Sequence, residues 1–449
     1  MLRSLIVPAW GSWEERGGPF HYFPARASWT DSFLALLLAL VVSALVLAVL
    51  LRLAPRTGLM DHPGERRRIH REAVPRVGGL AIFAGVLVSL GVAPALTSAE
   101  GYGLAGAVLL VLVGTLDDRY QLGPRVRLLA QIGAALLLTL GAGVVIPSLG
   151  DLFGRGPLVL GAWAVPFSVF AIVGLINALN MIDGIDGLAG GLTVIALSGL
   201  LVFLPGGTAL SLLLTATLAA LVPYLLCNLE LVGGRRKVFL GDAGSLLLGY
   251  LIVWGLIAAS RAPGGLAPVT ALWLVAVPLI DTLGVIGRRL ANGRHPFSAD
   301  RGHLHHLLAR LFHSTRGALA VLVALALLLA GLGLAGQALA VPEAVRFYLA
   351  LALFGGYLLL ITRLPTWHRQ RLRQFRQAPQ KAGGRGSTHQ NLATARFFLR
   401  FGPGSSAATA TRSGPNWSLS FRPAPERRGS VPSSRTGWWS SKTCRRSWR

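Results

Sequence analysis

FLALLLALVVSALVLAVLL, residues 33–51, is a run of nineteen residues without a charged side chain. A transmembrane helix needs about 20 consecutive apolar residues to cross the hydrocarbon core of a bilayer. No water is available there to satisfy backbone amide and carbonyl groups, so a spanning segment closes its hydrogen bonds internally as a helix. The stretch therefore predicts a membrane-spanning helix.

Similar apolar runs recur along the chain, and the composition is that of a membrane protein. Of 449 residues, 53% are hydrophobic and only 14% are charged, and the mean hydropathy is +0.58. The predicted fold class is an all-α polytopic membrane protein with about eleven transmembrane helices. The third of these spans is short and would need burial or local thinning of the bilayer. The predicted spans are residues 33–51, 79–97, 102–116, 127–147, 158–177, 187–204, 208–226, 244–260, 267–286, 317–337 and 345–362.

Lysine and arginine residues concentrate between alternate predicted spans. The clusters lie at residues 52–76, 119–127, 235–237 and 288–316, whereas the other connections carry mostly isolated charges. Basic loops stay on the cytoplasmic side of a membrane. The distribution therefore places the N-terminus outside and the C-terminus in the cytoplasm, and an odd number of spans agrees with that.

The two ends of the chain differ from its apolar centre. Residues 1–32 form an N-terminal extension without a tidy signal peptide, and residues 33–362 form the transmembrane domain. From Arg363 onward, 18 Lys and Arg stand against one Glu, with frequent Ser, Gly and Pro. Residues 363–449 are therefore predicted to be a basic, mostly disordered cytoplasmic tail that contacts anionic membrane lipids. Nucleic-acid binding also fits the charge but is disfavoured, so no nucleic acid is expected as a partner.

The basic loop GTLDDRYQLGPRVRLLAQ, residues 114–131, contains two adjacent acids. Asp117 and Asp118 end a predicted membrane helix, where the helix dipole disfavours negative charge. Adjacent carboxylates repel each other unless a cation is present, and Mg²⁺ prefers carboxylate and phosphate oxygens together. The pair indicates a metal site, with a polar helix end facing water as the alternative.

Two further basic or polar loops offer acids and amides. NALNMIDGIDGLAGG, residues 177–191, spaces four such side chains by three and adds glycines that favour a bend: Asn177, Asn180, Asp183 and Asp186. They suit a polar ligand, although Asp183 could instead cap the next helix. CNLELVGGRRKVFLGDAGS, residues 227–245, places Asp242 at a predicted helix start. A lone Asp there is often a cap, but beside the acid pair a metal ligand is favoured, and Lys237 could meet phosphate.

The remaining two loops combine histidine with arginine. DHPGERRRIHREAVPRVGG, residues 61–79, carries His70 among arginines that either hold an anion or anchor the loop by charge alone. RHPFSADRGHLHHLLAR, residues 294–310, brings together one arginine and three histidines: Arg301, His303, His305 and His306. A pyrophosphate clamp is favoured over zinc, because the histidines do not share one helical face and no cysteine joins them.

Together the loops resemble the polyprenyl-phosphate N-acetylhexosamine-1-phosphate transferase superfamily, of the glycosyltransferase family 4 type. The matching pieces, in chain order, are RRIHREAVPRVGG, GTLDDRYQLGP, NALNMIDGIDGLAGG, VFLGDAGSLLLG and PFSADRGHLHHLL. Five ordered motifs on alternating loops are far more specific than any one alone. They span residues 61 to about 310, and the helix pattern extends the resemblance to about residue 362.

The resemblance implies an enzyme of the bacterial inner (cytoplasmic) membrane with a cytoplasmic active site. It would transfer an N-acetylhexosamine 1-phosphate, in the favoured branch N-acetylglucosamine, from a UDP-amino sugar to undecaprenyl phosphate. UMP would leave, and the lipid-linked product would start a cell-envelope glycan such as the O-antigen of lipopolysaccharide. Mg²⁺ would assist, with Mn²⁺ as a substitute. A homodimer is plausible by family analogy.

Two features of the motifs bear on the branch. The DRGHLHHLLARL context favours it over the phospho-N-acetylmuramoyl-pentapeptide transferase of peptidoglycan synthesis, whose Pro-Leu-His-His-His stretch is missing. Arg119, Tyr120 and Gln121 follow the acid pair, so a third aspartate is not available there. A membrane transporter is the alternative from another class, although transporters place polar groups near mid-membrane rather than at helix ends.

The resemblance also implies roles for individual residues. The catalytic residues would be Asp117, Asp118, Asp183 and Asp242. The metal would contact Asp242, Asp117 and Asp118. The nucleotide would contact Asn177, Asn180, Asp183, Asp186 and Asn228. The pyrophosphate and sugar would contact Lys237, Arg301, His303, His305 and His306. The lipid phosphate would contact His70 and Arg127. Direct attack by the lipid phosphate and a two-step route through an aspartyl intermediate both remain open.

Overall fold

The structure covers most of the apolar part of the chain and little of its ends. The computed structural model describes residues 28–61, 73–93, 96–233, 237–291, 293, 303–359, 408–413 and 416–421. The chain divides into two compact units, Met1–Thr366 and Trp367–Arg449. His70 and Arg301, both expected to contact phosphate, lie outside the described residues, as does most of the tail.

Helices account for most of the described residues of the first unit. The first seven are α1 (Trp29–Thr57), α2 (Gly78–Ser89), α3 (Ser98–Tyr120), α4 (Pro124–Leu136), α5 (Ala164–Ile182), α6 (Leu188–Leu201) and α7 (Ala209–Asn228). The next six are α8 (Gly241–Arg261), α9 (Pro268–Leu274), α10 (Ala276–Ala291), α11 (Leu304–Phe312), α12 (Thr315–Ala338) and α13 (residues 343–359). A π-helical turn, Leu137–Gly141, continues α4.

Within the described residues, six helices are long and apolar enough to cross a membrane: α1, α3, α5, α7, α8 and α12. Helices α9 and α10 meet the same criteria as a pair, although they bend by 81° where they meet. The apolar helices α2 and α6 are shorter. The chain is therefore a multi-pass membrane protein. Each predicted span overlaps a helix, but eleven crossings and their orientation stay predictions.

Helix α3 is longer than the span predicted for it at residues 102–116. A capping box starts it, in which the Thr97 hydroxyl accepts from the Glu100 amide and the Glu100 carboxylate accepts from the Thr97 amide. Gln121, with a left-handed φ of 52°, ends it. The helix thus includes Asp117 and Asp118 in its last turn. Hydropathy alone assigns these charged residues to the following loop, which is why the predicted span is shorter.

Helix α8 is the most enclosed of the candidate spans. Of its apolar 18-residue stretch, 89% is buried inside the protein. It packs against α2, α3, α5 and α6. Glycines bring two of these backbones unusually close: a Cβ on Gly79 would lie 2.2 Å from the Gly244 nitrogen, and one on Gly114 would lie 2.4 Å from the Ala243 Cα. The first turn of α8 is therefore held between α2 and α3.

A small sheet leads into α8. Strand β1 (Met60–Asp61) pairs antiparallel with β2 (Val74–Pro75), and Arg76 forms a parallel bridge with Phe239. The Phe239 amide donates to the Pro75 carbonyl at 2.8 Å. The first basic loop and the segment before α8 are thus joined through their backbones.

The described part of the second unit is a hairpin. Strand β3 (Ala408–Ser413) pairs antiparallel with β4 (Asn416–Phe421). The sequence predicts a mostly disordered tail, and this hairpin is an ordered exception within it. Trp417, Leu419 and Phe421 alternate with serines, a pattern that favours a strand. The rest of the tail lies outside the described residues, so its predicted disorder stays a prediction.

Candidate active site

Carboxylates from α3 and α8 meet at one end of the helix bundle. Asp117 lies in the last turn of α3 and Asp242 in the first turn of α8. Arg127 of α4 joins them, since its Nη1 lies 3.0 Å from Asp117 Oδ2 and 3.9 Å from Asp242 Oδ2. The guanidinium partly offsets the negative charge of these two carboxylates. A bound cation would compete with Arg127 for the carboxylates, and a bound anion would compete with the carboxylates for Arg127.

Asp118 has a different task from its neighbour. Its Oδ1 accepts from the Asp242 amide at 3.0 Å and its Oδ2 from the Ala243 amide at 3.2 Å. These are among the first amides of α8, which have no partner within the helix. Asp118 therefore caps α8 from another helix, and Asp242 does not cap its own helix. The Asp242 side chain is 27% exposed and is therefore accessible to a ligand.

The two asparagines of the third loop separate in the structure. Asn180 Nδ2 donates to Asp242 Oδ1 at 2.6 Å and to Ser245 Oγ at 2.8 Å. Asn177 Nδ2 instead donates to Gln131 Oε1 of α4 at 2.5 Å and to the carbonyl four residues earlier at 2.8 Å. Only Asn180 is thus brought to the carboxylates. Ser245, which the sequence analysis did not select, completes this contact.

The expected break between α5 and α6 is present, with helix ending at Ile182 and resuming at Leu188. Gly187, with a φ of 77°, is the N-cap residue of α6, so Asp183 does not cap that helix. Burial raises the pKa of Asp183 to about 7, and the carboxylates of Asp242, Asp118 and Asp186 add to the rise. Asp183 is therefore close enough to the other three carboxylates for their negative charge to disfavour its ionised form.

Lys237 and Asp186 form an ion pair beside this break. Lys237 Nζ lies 2.7 Å from Asp186 Oδ2 and 3.1 Å from Glu230 Oε1. Burial lowers the pKa of Lys237, but the contacts with Asp186 and Glu230 outweigh it, so the pKa is raised. The side chains of Lys237 and Asp186 are both partly exposed, so a ligand can reach them and replace the ion pair.

Asn228 is placed inside the protein rather than toward a ligand. Its Oδ1 accepts from the Gly187 amide at 2.5 Å, and its Nδ2 donates to the Val238 carbonyl at 2.7 Å. The side chain is buried. Asn228 thus ties the break after α5 to the segment before α8. Its expected nucleotide contact would have to form alongside both of these bonds.

His303 is oriented by a buried carboxylate that the sequence analysis missed. Asp281 of α10 accepts from the Leu304 amide at 2.7 Å and lies 2.9 Å from His303 Nδ1. Tyr357 of α13 donates its hydroxyl to Asp281 at 3.1 Å. The signal was present, since an acid inside an apolar run is a functional candidate by default.

His305 is 1% exposed and lies between His303 and His306, with ring centroids 5.5 Å and 4.2 Å away. Among the described residues, neither of its ring nitrogens has a hydrogen-bond partner. It packs on Gly184, where a Cβ would lie 2.2 Å from its Nε2. Burial and the neighbouring His306 lower the pKa of His305 to about 3, although Asp281 opposes the shift.

The His305 environment predicts a pH-dependent loss of stability. In the unfolded chain this imidazole takes up a proton below about pH 6.5, whereas the folded protein holds it neutral until about pH 3. Lowering the pH from about 7.5 to about 5 therefore costs about 2 kcal/mol of stability at this residue. Over this range we expect the thermal midpoint of the wild type in detergent to fall relative to that of His305→Asn, because the opposite effect of protonating Asp183, whose pKa is raised, is common to both proteins. Parallel curves for the two proteins would contradict the assignment.

Mg²⁺, which the family resemblance implies, takes carboxylate oxygens as ligands, and its site can be compared with the described carboxylates. Within the described ranges, no group of three or more His, Cys, Asp or Glu side chains is placed to hold a metal ion. Mg²⁺ often uses only one or two protein carboxylates and takes the rest of its ligands from water and phosphate. Asp242 and Asp117 fit that requirement, because both approach the same Arg127 nitrogen.

Known proteins resemble the part of the chain that builds this site. A family model described as glycosyl transferase family 4 matches residues 101–260, which include Asp117, Asp118, Asn180 and Asp242. Relatives named undecaprenyl-phosphate alpha-N-acetylglucosaminyl 1-phosphate transferase are similar over a longer stretch. The relative from Escherichia coli O157:H7 is 37% identical over 311 residues, which is 68% of this chain and 84% of the relative.

Two further relatives of that name extend the match. The Yersinia pestis protein is 38% identical over 334 residues, 73% of this chain and 91% of the relative. The Haemophilus influenzae protein is 36% identical over 340 residues, 74% of this chain and 96% of the relative. Similarity at this level over nearly the whole relative confirms the superfamily resemblance drawn from the motifs. The chain belongs to glycosyl transferase family 4.

Proposed function

We propose that this protein transfers N-acetylglucosamine 1-phosphate from UDP-N-acetylglucosamine to undecaprenyl phosphate and releases UMP. The observation that carries the proposal is the meeting of Asp117, Asp242 and Arg127, three charged side chains on separate helices, within the region matched by the family. The names of the relatives supply the donor sugar and the acceptor lipid.

The proposed reaction joins two anions. An oxygen of the lipid phosphate bonds to the sugar-linked phosphorus, the bond from that phosphorus to the bridging oxygen breaks, and UMP leaves with the electron pair. Neutralising the phosphates therefore dominates the barrier. Mg²⁺, when bound, would supply positive charge to the diphosphate oxygens. Asp242 and Asp117 would hold it, and Asp118 would keep Asp242 in place through the amides of α8.

Among the cations in the described part of the chain, Arg127 is the best placed for the lipid phosphate. In the structure it lies against Asp117 and Asp242 while a third of its side chain stays exposed, 32%. A guanidinium binds phosphate through two parallel hydrogen bonds. Arg127 would therefore turn from the carboxylates to the phosphate and bring the attacking oxygen next to Asp117.

The donor would occupy the opposite side of Asp242. Lys237 and Asp186 would exchange their mutual ion pair for nucleotide contacts, while Asn180 holds Asp242. His303 would present Nε2 to the pyrophosphate, because Asp281 occupies its Nδ1. His306 and the sequence-predicted Arg301 and His70 would contribute further phosphate contacts, whereas the buried His305 would support the histidine cluster.

The setting of the reaction is also part of the proposal. By the positive-inside rule, the basic loops support a site on the cytoplasmic face of the bacterial inner membrane, with the N-terminus outside and eleven crossings. UDP-sugars are water-soluble, and a site at helix ends meets both them and the membrane-bound acceptor. The lipid-linked sugar would begin a cell-envelope glycan, such as the O-antigen of lipopolysaccharide.

The test is UMP release by purified protein in detergent with Mg²⁺ and undecaprenyl phosphate. UDP-N-acetylglucosamine, UDP-N-acetylgalactosamine and UDP-N-acetylmuramoyl-pentapeptide would be supplied separately. Lipid-dependent release with the first donor supports the proposal. Release only with the pentapeptide donor would move the enzyme to peptidoglycan synthesis. Folded protein that releases no UMP from any donor would favour the transporter alternative.

Asp281→Asn is expected to lower the turnover number by about 10- to 100-fold, with little change in the KM for the donor. The amide loses the negative charge that fixes the proton on His303 Nδ1, so the imidazole no longer presents one nitrogen consistently. Tyr357→Phe is the matched control, since it removes one donor to Asp281 and keeps the His303 contact. Equal losses in both variants would argue against orientation of His303.

A further inference from the structure

Arg76 joins two buried carboxylates that belong to different parts of the chain. Its Nη2 donates to Asp61 Oδ1 in a short contact, and its Nη1 lies 3.7 Å from Asp118 Oδ1. The Asp118 side chain is only 2% exposed. A carboxylate withdrawn from water to that extent needs a counter-charge and hydrogen-bond donors. Arg76 supplies the charge, and the first amides of α8 supply the donors.

The backbone holds Arg76 where it can do this. Its amide donates to the Leu59 carbonyl at 2.9 Å, and the residue bridges to Phe239 on its other side. Asp61, at the end of β1, is itself buried. Arg76 is therefore held both at its backbone and at its guanidinium, and its carboxylate partners differ from those of Arg127.

Two arginines thus meet the acid cluster in different ways. Arg127 contacts Asp117 and Asp242, and its side chain is 32% exposed. Arg76 touches Asp118 and is restrained by Asp61. A restrained cation loses little further entropy when the site is used and keeps its geometry through a reaction. The partly exposed Arg127 is therefore suited to binding a ligand, whereas the restrained Arg76 is suited to supporting Asp118 throughout the reaction.

We propose that Arg76, restrained by Asp61, is a positioning residue that holds Asp118 on the first amides of α8 and so fixes Asp242. The chain of contacts runs from Asp61 to Arg76, from Arg76 to Asp118, and from Asp118 to the amide of Asp242 itself. Because the amide and the side chain share one Cα, a shift of the cap moves the Asp242 carboxylate. The inference rests on the proposed function only in expecting Asp242 to hold a divalent cation.

The test compares Arg76→Leu, Arg76→Lys and Asp61→Asn with Arg125→Gln, which removes an exposed arginine at the start of α4. Binding of Mn²⁺ without substrates is measured by electron paramagnetic resonance, and UMP release is titrated with Mg²⁺. We expect Arg76→Leu and Asp61→Asn to weaken Mn²⁺ binding about tenfold or more and to raise the Mg²⁺ requirement equally. Arg76→Lys should recover part of the loss, and Arg125→Gln should match the wild type.

A double-mutant cycle isolates the route through Asp118. If Arg76 acts through that carboxylate, Arg76→Leu adds no further loss of Mn²⁺ binding in the Asp118→Asn background. Independent losses would overturn the inference, as would a raised KM for either substrate with unchanged Mn²⁺ binding, which indicates direct substrate contact. If Arg76→Leu does not fold, Asp61→Asn decides by the same readouts. Wild-type protein that binds Mn²⁺ but releases no UMP would overturn the proposed function and leave this cycle decisive.

Discussion

Replacing Asp242 with asparagine is expected to reduce the turnover number for UMP release by a factor of about 10²–10³. The substitution removes one negative charge and changes the shape of the side chain hardly at all. Asn180 can still donate to the remaining side-chain oxygen, and the amide of residue 242 can still donate to Asp118. The fold should therefore survive, and the loss should report the missing charge at the point where α3, α4 and α8 meet.

The measurement is UMP release at saturating substrates, together with the thermal midpoint in detergent. Asp151→Asn is the matched control, because Asp151 lies in the connection between α4 and α5 and accepts from the amides of Arg155 and Gly156. We expect that variant to keep wild-type turnover. An Asp242→Asn protein with wild-type turnover and an unchanged Mg²⁺ requirement would remove this residue from the mechanism.

Adding one methyl group at Gly114 is expected to disable the enzyme to a similar degree. The new Cβ would lie 2.4 Å from the Ala243 Cα and 2.5 Å from the Ala243 nitrogen, so α8 or α3 has to move. Both obstructing atoms belong to the backbone and cannot turn aside as a side chain would. A displacement of about 1 Å next to Asp242 costs on the order of 100-fold in rate.

Gly101→Ala is a control on the same helix, since a Cβ placed there would have no described atom within 4 Å apart from the adjoining residues and backbone of its own helix. That variant should keep full activity and gain a little stability, because alanine favours a helix by about 1 kcal/mol over glycine. UMP release and thermal midpoints of the two variants would be measured side by side. Full activity in Gly114→Ala would mean that the close approach of α3 to α8 can relax without moving Asp242.

Part of this site was predictable from the sequence because its chemistry is local. The acids at 117 and 118, at 183 and at 242 stand out as charges at the ends of apolar runs, and membrane burial makes such charges costly. The family followed from the order of five motifs, and the relatives confirm it. The structure brings Asn180 to Asp242, whereas the roles assigned to both residues stay predictions.

Other residues were assigned or missed for a reason of geometry. Asn177 and Asn228 looked available in the sequence, yet their amides bond to Gln131 and to the backbone of neighbouring loops. Asp61 and Arg76 looked like ordinary members of a basic loop. Their importance depends on Asp118, which is far away in the chain and comes close only through tertiary packing. No local periodicity encodes such a contact.

The enclosure of α8 has a consequence for how the protein is made. The helices that pack most extensively against it, α2, α3, α5 and α6, all precede it in the chain and so leave the ribosome first. We therefore expect α8 to dock onto these helices as it enters the membrane, rather than to dissolve in lipid. Its polar and bulky members, such as Ser245, Tyr250 and Trp254, are then never presented to acyl chains. Damage to that docking surface would leave a nascent chain with an unprotected helix and expose it to membrane quality control before any catalysis could be measured.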